Sequence, residues 1–290
     1  MPDKPRTRSG YLRETTELVE SACLTVAVTL GAFMDRLCIV GGLVPTLLID
    51  RQLGVDADAS DVHSGTNDLD IGLSIALLND HQYTEISSRL RQEGFAPDRN
   101  LQNNPTPQRW KLNGLNLTID FLLPPVPGDE EGGRVKNLQG DFAALIAPGL
   151  EVAFSEREEI TLEGRTLKGE LVRRSIPVCG PASFVVLKAL AFADRGEPKD
   201  AYDLVYVLRR WPDGTSDIAD RFASLTSQHA EVVRRALNRL ANDFMSIDSI
   251  GPRRAAAFEG GTGDDLDAPA ADAQGYVADL LRACRDRSVM

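Results

Sequence analysis

Several residue types and patterns are scarce in this 290-residue sequence, and each scarcity excludes a class of protein. Its four cysteines, Cys23, Cys38, Cys179 and Cys284, are far apart and form no CxxC pair. This usage is typical of reduced, buried thiols and argues against a disulfide framework or a zinc site. The longest nearly apolar stretch, residues 22–33, is too short to span a bilayer, and no apolar secretory segment follows the basic N-terminus. We therefore expect a globular, cytoplasmic protein.

Positively charged residues are also relatively few. The sequence has 32 Lys and Arg residues and 43 Asp and Glu residues, which gives a formal net charge of -11. A molecule with this balance does not attract nucleic acid over its whole surface, so an RNA-binding surface would have to be a local basic patch. Arginines do cluster at Arg173 and Arg174, at Arg209 and Arg210, at Arg234, Arg235 and Arg239, and at Arg253 and Arg254. Each cluster could contact phosphates or simply form solvated helix surface.

The N-terminal half of the sequence combines strand and helix patterns. In chain order the apolar spacing predicts a helix over residues 14–37, a short buried strand and a helix over residues 43–52. The strand with Asp68 and Asp70 and a helix over residues 80–93 follow. The dipeptide Asn113-Gly114 then predicts a hairpin with a two-residue turn. This order of elements predicts an α/β-like domain.

From residue 180 onward the pattern becomes helical. Pro181 and Gly196 bracket one predicted helix, and Pro198 opens the next. Residues 249–275 are rich in Gly, Pro, Ala and Asp, and we expect a loose segment there before a short final helix. The sequence thus predicts two domains, an α/β domain over residues 1–179 and a helical domain over residues 180–290.

The first candidate for a functional site is the stretch HSGTNDLDIGLSI, residues 63–75. Side chains alternate along a strand, so Asp68 and Asp70 lie on one face while Leu69 and Ile71 lie on the other. Two adjacent carboxylates repel each other, and burying them costs free energy unless a cation or hydrogen-bond donors compensate. The pattern therefore predicts a compensating ligand.

A third carboxylate, Asp120, is predicted on a hairpin strand, on the face opposite Ile119 and Phe121. Three such carboxylates can supply the oxygen ligands that Mg²⁺ prefers. The turn at Gly41 and Gly42, between a strand and a helix, offers backbone N–H groups and the positive end of a helix dipole to phosphate. Structurally, paired aspartates also form solvated turns and Gly-Gly is a common α/β turn. The combination favours a site.

The helical part adds further candidates. Lys188 lies among apolar residues, where an ammonium group must reach water or meet an anion such as a triphosphate; the alternative is a lysine on a solvated helix face. Asp200 lies in the first turn of its helix, where a carboxylate complements the helix dipole, and its structural and functional interpretations are equally supported. Asp203 follows at an apolar margin and needs a partner. We interpret His63 as a structural residue near enough to the aspartate strand to touch a ligand.

These residues together resemble the nucleotidyltransferase superfamily, and specifically the AbiEii/AbiGii toxin family of nucleotidyltransferases. The segments that carry the resemblance fall within residues 38–208 and read VGGLVP, GTNDLDIGL, LTIDFL, FVVLKALAFADRG and KDAYDLVYVL. The resemblance implies an α+β fold, with a nucleotidyltransferase-type mixed β-sheet and flanking helices followed by a helical C-terminal domain.

The resemblance also implies roles for individual residues. The metal ion, Mg²⁺ or Mn²⁺, would be held by Asp68, Asp70 and Asp120. The catalytic set would be these three aspartates with Lys188 and Asp203. The nucleotide would be bound by Gly41, Gly42, Thr66, Lys188 and Asp200. Many superfamily members have serine where this sequence has Gly42, so one hydroxyl contact to phosphate is missing here.

The function that the resemblance implies is Mg-dependent transfer of a nucleoside monophosphate from an NTP to an acceptor hydroxyl. The acceptor would be the tRNA 3′ end, and the enzyme would be the toxin of a toxin–antitoxin system. The alternatives are a protein-nucleotidylating (AMPylating) enzyme and a non-catalytic nucleotide-binding regulatory module of the same fold. Three mutually repelling carboxylates favour an enzyme. The implied partners are an NTP, a tRNA acceptor and a cognate antitoxin protein. No association with a membrane is expected.

Overall fold

The computed structural model describes residues 5–53, 58, 61–74, 79–100, 102–112, 114–115, 117–126 and 132–289. The chain divides into two compact units. The first is formed mainly by Leu12–Val44 and Gly65–Cys179. The second is formed by Pro5–Tyr11, Pro45–Ser64 and Gly180–Met290, so a segment of the N-terminal half belongs to the helical unit.

The described residues form nine helices and nine strands, which confirms the α+β class. The helices are α1 Arg13–Thr29, α2 Val44–Leu48, α3 Asp80–Gln92, α4 Val152–Ser155, α5 Pro181–Arg195, α6 Pro198–Arg210, α7 Gly214–Asp243, α8 Ile250–Glu259 and α9 Asp267–Asp286. The strands are β1 Leu37–Val40, β2 Asp68–Leu73, β3 Phe95–Arg99, β4 Pro105–Leu112, β5 Thr118–Leu123, β6 Val135–Gln139, β7 Phe142–Ile146, β8 Arg157–Arg165 and β9 Leu171–Cys179.

The first unit is built on one mixed sheet with the strand order β3-β4-β5-β2-β1-β9-β8. Strand β7 pairs with the second half of β5, and β6 pairs with β7. The two central strands β2 and β5 run parallel, whereas β1 is antiparallel to β2 and β4 is antiparallel to β5. Helices α1, α3 and α4 pack on this sheet. Leu69, Ile71 and Leu73 of β2 are fully buried, as the alternating pattern predicts.

Three local predictions in the first half need correction. Helix α1 ends at Thr29, and the residues from Gly31 to Arg36 form a 3₁₀ turn rather than a continuation of the helix. The predicted helix over residues 43–52 shortens to the five-residue α2, so it contributes little dipole. The hairpin of β4 and β5 is present, but its connection runs over residues 113–117 instead of two residues. Asn113 and Asn116 lie outside the described residues.

The second unit contains helices α5 to α9, which pack in the pairs α5 with α6 and α7, α6 with α8, and α9 with α7 and α8. The predicted helix bounds at Pro181, Gly196 and Pro198 are confirmed, and Gly196 has the left-handed backbone conformation of a helix end. None of the described helices has both the length and the hydropathy needed to cross a bilayer. The four cysteines form no disulfide bond with one another and are buried, as predicted.

The predicted loose segment at residues 249–275 is wrong, because helices α8 and α9 occupy most of it. Pro252 and Pro269 each lie in the first turn of a helix, where the missing N–H would have no intrahelical acceptor. Gly260 ends α8 with a φ of 108°. The prolines and glycine thus mark helix ends, and the alanines between them favour helix.

Candidate active site

The three aspartates predicted from the sequence lie together on one face of the sheet. In the parallel pairing of β2 with β5, Asp70 is directly opposite Asp120 and Asp68 is opposite Thr118. Neighbouring strands are about 4.8 Å apart, so the three side chains project side by side. Asp68 and Asp70 are only partly buried, while Leu69 between them and Ile71 after Asp70 are fully buried. We call the surface formed by Asp68, Asp70 and Asp120 the carboxylate face.

An arginine that the sequence analysis did not identify neutralises part of this face. Arg109 of β4 is the antiparallel partner of Asp120. Its Nε donates to Oδ1 at 2.7 Å, and a terminal nitrogen donates to Oδ2 at 2.5 Å. These hydrogen bonds raise the pKa of Arg109 against the opposing effect of burial, and the charges of Asp120, Asp68 and Asp70 add to the rise. Arg109 is therefore a fixed cation beside all three carboxylates.

Asp68 is held in position by two threonines. The hydroxyl of Thr118 donates to Asp68 Oδ1 at 2.7 Å across the strand pair. The hydroxyl of the buried Thr66 donates to the Asp68 carbonyl oxygen at 3.2 Å and accepts the Asp68 N–H at 3.4 Å. Thr66 thus fixes the backbone that leads into β2. This structural contact is independent of the nucleotide-binding role that the resemblance implies for it.

Gly41 lies against the carboxylate of Asp70. It follows β1 with a φ of 71°, and a Cβ placed there would lie 2.0 Å from Asp70 Oδ2. A side chain at this position would therefore clash with the carboxylate as well as strain the backbone. Gly42 is buried in the same 3₁₀ turn. The close approach of this turn to Asp70 gives Gly41 a structural role, and its phosphate-binding role stays a prediction.

The chemistry of the carboxylate face fits a hard cation. When all four groups are charged, three carboxylates and one guanidinium leave two negative charges, and carboxylate oxygen is the ligand that Mg²⁺ prefers. Among the residues that the structure describes, no three His, Cys, Asp or Glu side chains are arranged to hold a metal ion. Mg²⁺ is commonly bound by one or two carboxylates together with substrate phosphates, so Asp68 and Asp70 suit an ion that also contacts a triphosphate.

In the second unit the predicted residues Lys188, Asp200 and Asp203 form a buried ion network. Lys188 Nζ donates to Asp200 Oδ1 at 2.9 Å and to Asp203 Oδ2 at 2.6 Å. Burial by itself lowers the pKa of Lys188, but the two carboxylates outweigh it and raise the pKa. The interpretation of Lys188 as a solvated surface residue is therefore wrong, since its side chain is 9% exposed. The anions it meets are these two aspartates.

Three further residues complete the network. Asp203 Oδ1 is contacted by Lys199 Nζ at 2.7 Å and by the His63 ring at 2.8 Å. Arg195 donates to both oxygens of Asp200, at 2.7 and 2.8 Å. Burial raises the pKa of Asp203, but Lys188, Lys199 and His63 outweigh it and hold the pKa well below its usual range. Burial and the charge of Lys199 lower the pKa of His63, although Asp203 acts to raise it. A neutral His63 donates its Nε2–H to an ionised Asp203.

The residues that sequence analysis missed left weak signals. Thr118 lies two residues before Asp120 on β5 and Arg109 lies opposite Asp120 on β4, so all three share one face, but alternation along a strand does not identify a partner on the next strand. Lys199 lies four residues before Asp203 on α6, a spacing typical of helical ion pairs. The interpretation of His63 as a structural residue agrees with its burial, but nothing in the sequence indicated its contact with Asp203.

The family model of the nucleotidyl transferase AbiEii toxin, of type IV toxin–antitoxin systems, matches residues 116–277, more than half of the chain. The chain belongs to the AbiEii family. The predicted family is thereby confirmed, and the chain is a nucleotidyltransferase toxin by membership. No curated protein matches it in sequence.

The AbiEii match covers only part of the candidate site. It includes Asp120 on β5 and the buried network residues Lys188, Asp200 and Asp203. It begins after β2, so Asp68 and Asp70 lie outside the matched range. Their connection to the matched part is the sheet itself, through the pairing of β2 with β5.

Proposed function

We propose that this AbiEii-family chain transfers a nucleoside monophosphate from an NTP to an acceptor hydroxyl, with Mg²⁺ or Mn²⁺ bound at the carboxylate face. The acceptor we propose is the 3′ end of tRNA. The observation that carries the proposal is the direct pairing of Asp70 with Asp120, with Asp68 on the same face. Family membership supports the reaction class.

In the proposed reaction the acceptor hydroxyl loses its proton to solvent, its oxygen bonds to the α-phosphorus, and the bond from that phosphorus to the bridging oxygen breaks so that pyrophosphate leaves. Asp68 and Asp70 would hold the metal ion, and Thr118 restrains Asp68 through its 2.7 Å hydrogen bond. The ion, when bound, would neutralise phosphate charge and orient the attacking hydroxyl. The chain's own contribution is positioning and charge stabilisation, which account for most of the catalysis in reactions of this kind.

For the nucleotide we propose the residues that the family motifs indicate. Lys188 would contact the triphosphate, and its hydrogen bonds to Asp200 and Asp203 would set the position of its ammonium group. Gly41, Gly42 and Thr66 would line the phosphates. The ammonium of Lys188 is retained, because the two carboxylates raise its pKa.

The proposed tRNA acceptor is supported by the distribution of arginines. Arg209 pairs with Glu259 and Asp272 at 2.8 Å, Arg210 pairs with Asp61, and Arg253 pairs with Asp248 and Asp267. These arginines are occupied within the chain. In contrast, Arg234, Arg235 and Arg239 are exposed along α7. They form a local group of positive charges on an acidic chain, with Asp243 near Arg239, and a group of arginines suits an RNA backbone. Membership of a type IV toxin–antitoxin family also supports a cognate antitoxin as a partner.

The test is to incubate the purified chain with each α-³²P-labelled NTP, Mg²⁺ and a total pool of RNA and protein, with the Asp70→Asn variant and EDTA as controls. We expect label in RNA of tRNA size, dependent on Mg²⁺ and absent with Asp70→Asn. Label in protein and never in RNA would support a protein-nucleotidylating enzyme instead. NTP binding without any labelled product would support a non-catalytic module.

A further inference from the structure

The contact between Arg109 and Asp120 bears on how the carboxylate face takes up a cation. Both side chains are largely buried, with exposures of 12% and 16%. The guanidinium contacts both oxygens of the carboxylate, so the geometry is bidentate and fixed by the pairing of β4 with β5. Bidentate Arg–carboxylate pairs are among the strongest charge-assisted hydrogen bonds.

The same guanidinium is close enough to Asp68 and Asp70 for both to raise its pKa. It therefore offsets the repulsion among three carboxylates that lie side by side. A divalent cation bound at this face would also neutralise these charges, and it would be repelled by the guanidinium. Arg109 and the cation thus compete for the same negative charge.

We propose that Arg109 is a positioning residue that holds Asp120 and thereby lowers the affinity of the nucleotide-free carboxylate face for divalent cations. The inference rests on the proposed function, because it concerns the metal ion of that reaction. It assigns Arg109 the role of an internal counter-ion, which keeps the face assembled before the ion arrives with its triphosphate. Removing the guanidinium frees both Asp120 oxygens and removes one positive charge.

The experiment measures Mn²⁺ binding by the full chain, using the electron paramagnetic resonance signal of free Mn²⁺. Titrations are made with and without an α,β-methylene nucleoside triphosphate. The variants are Arg109→Gln, Arg109→Lys and the double variant Arg109→Gln/Asp120→Asn. The double variant lacks both the guanidinium and the Asp120 carboxylate, so its carboxylate face has the same formal charge as that of the parent. It therefore shows whether tighter binding by Arg109→Gln requires a free Asp120 carboxylate and the added negative charge. Arg91→Gln is the matched control, because Arg91 stacks on Trp110 of β4 but pairs with Asp141.

We expect Arg109→Gln to bind Mn²⁺ without nucleotide about tenfold more tightly than the parent, or better. Arg109→Lys keeps the positive charge but cannot make both hydrogen bonds to Asp120, so its affinity for Mn²⁺ should lie between those of the parent and Arg109→Gln. The double variant and Arg91→Gln should bind like the parent. Mn²⁺ should also raise the melting temperature of Arg109→Gln more than that of the parent, because the ion replaces the missing counter-ion.

Equal nucleotide-free affinities of the parent and both single Arg109 variants would overturn the inference, and the double variant matching Arg109→Gln would do the same. In either case Mn²⁺ binding in the presence of the nucleotide analogue would leave the proposed function intact. If neither parent nor variants bind Mn²⁺ even with the analogue, the metal-dependent reaction is overturned and the inference with it. If Arg109→Gln does not fold, Arg109→Lys alone decides the comparison with the parent.

Discussion

Arg109 and Asp120 lie directly opposite each other on neighbouring antiparallel strands and share two hydrogen bonds. A two-residue turn at positions 113 and 114 would have placed Arg109 opposite Thr118. The longer connection over residues 113–117 moves the register by two residues and brings Arg109 to Asp120. Because the shift is even, every side chain keeps its face. The pairing of Arg109 with Asp120 therefore depends on the length of the loop. The side of the sheet on which their side chains lie depends only on the alternation of side chains along each strand.

Asp68→Asn should reduce nucleotidyl transfer by orders of magnitude while the fold survives. The substitution removes charge from the proposed metal site, yet the amide oxygen can still accept the Thr118 hydroxyl. Initial rates with saturating NTP, together with thermal unfolding, provide the measurement. Asp35→Asn is the matched control, because its side chain is 68% exposed. Undiminished transfer by Asp68→Asn would remove this residue from the mechanism.

Gly41→Ala should destabilise the fold by about 1–3 kcal/mol and displace Asp70, because the added Cβ lies 2.0 Å from its carboxylate at a φ of 71°. Gly140→Ala isolates the backbone cost, since Gly140 has a φ of 60° and, apart from its two neighbours in the chain, no residue has a heavy atom within 4 Å of the position that its Cβ would take. Urea unfolding and transfer assays compare the two variants. Similar reductions of stability and activity in both would contradict a specific contact between Gly41 and Asp70.

Lys188→Met should lower the free energy of unfolding by about 3 kcal/mol or more, because it leaves Asp200 and Asp203 buried with one cation fewer. The control is Lys168→Met, whose side chain is 56% exposed and pairs with Glu93, with an expected change of about 1 kcal/mol or less. Urea unfolding of both variants gives the comparison. Equal stabilities would show that the network does not depend on Lys188.

Acid should destabilise the second unit in two stages. The folded pKa of His63 is below its usual 6.5, so the unfolded state binds more protons and the free energy of unfolding falls as pH drops below that value. Asp203 has a depressed pKa, so its contribution is present above pH 3.8 and is lost as pH falls through the folded pKa. His63→Gln should remove the first stage, and exposed His81→Gln should not. Urea unfolding at a series of pH values tests this, and an unchanged curve for His63→Gln would contradict it.

The double variant Arg235→Gln/Arg239→Gln should weaken tRNA binding and lower the slope of log affinity against log salt concentration. Each arginine that no longer binds a phosphate should reduce the magnitude of that slope by roughly 0.7–0.9. Arg282→Gln/Arg285→Gln on α9 is the control with the same change in charge. Filter binding at several salt concentrations measures both. Identical slopes for the two double variants would exclude α7 as the RNA-binding surface.

The sequence by itself determined which face of each strand carries the aspartates, because a two-residue repeat fixes the side of every side chain. It also determined helices α5 and α6, whose ends are marked by Pro181, Gly196 and Pro198. These features depend on neighbours along the chain. Composition was a poorer guide at residues 249–275, where prolines and glycines mark the ends of helices rather than a loose segment.

Only the tertiary structure decided the partners of the charged residues. Lys188 meets Asp200 and Asp203 because α5 packs on α6, and His63 reaches Asp203 from a segment 140 positions earlier in the chain. Arg109 meets Asp120 because of the strand register. Partners of this kind depend on loop lengths and on packing between distant segments, and neither has a local signature. Periodicity therefore located the carboxylate face, and long-range packing placed the cations around each carboxylate.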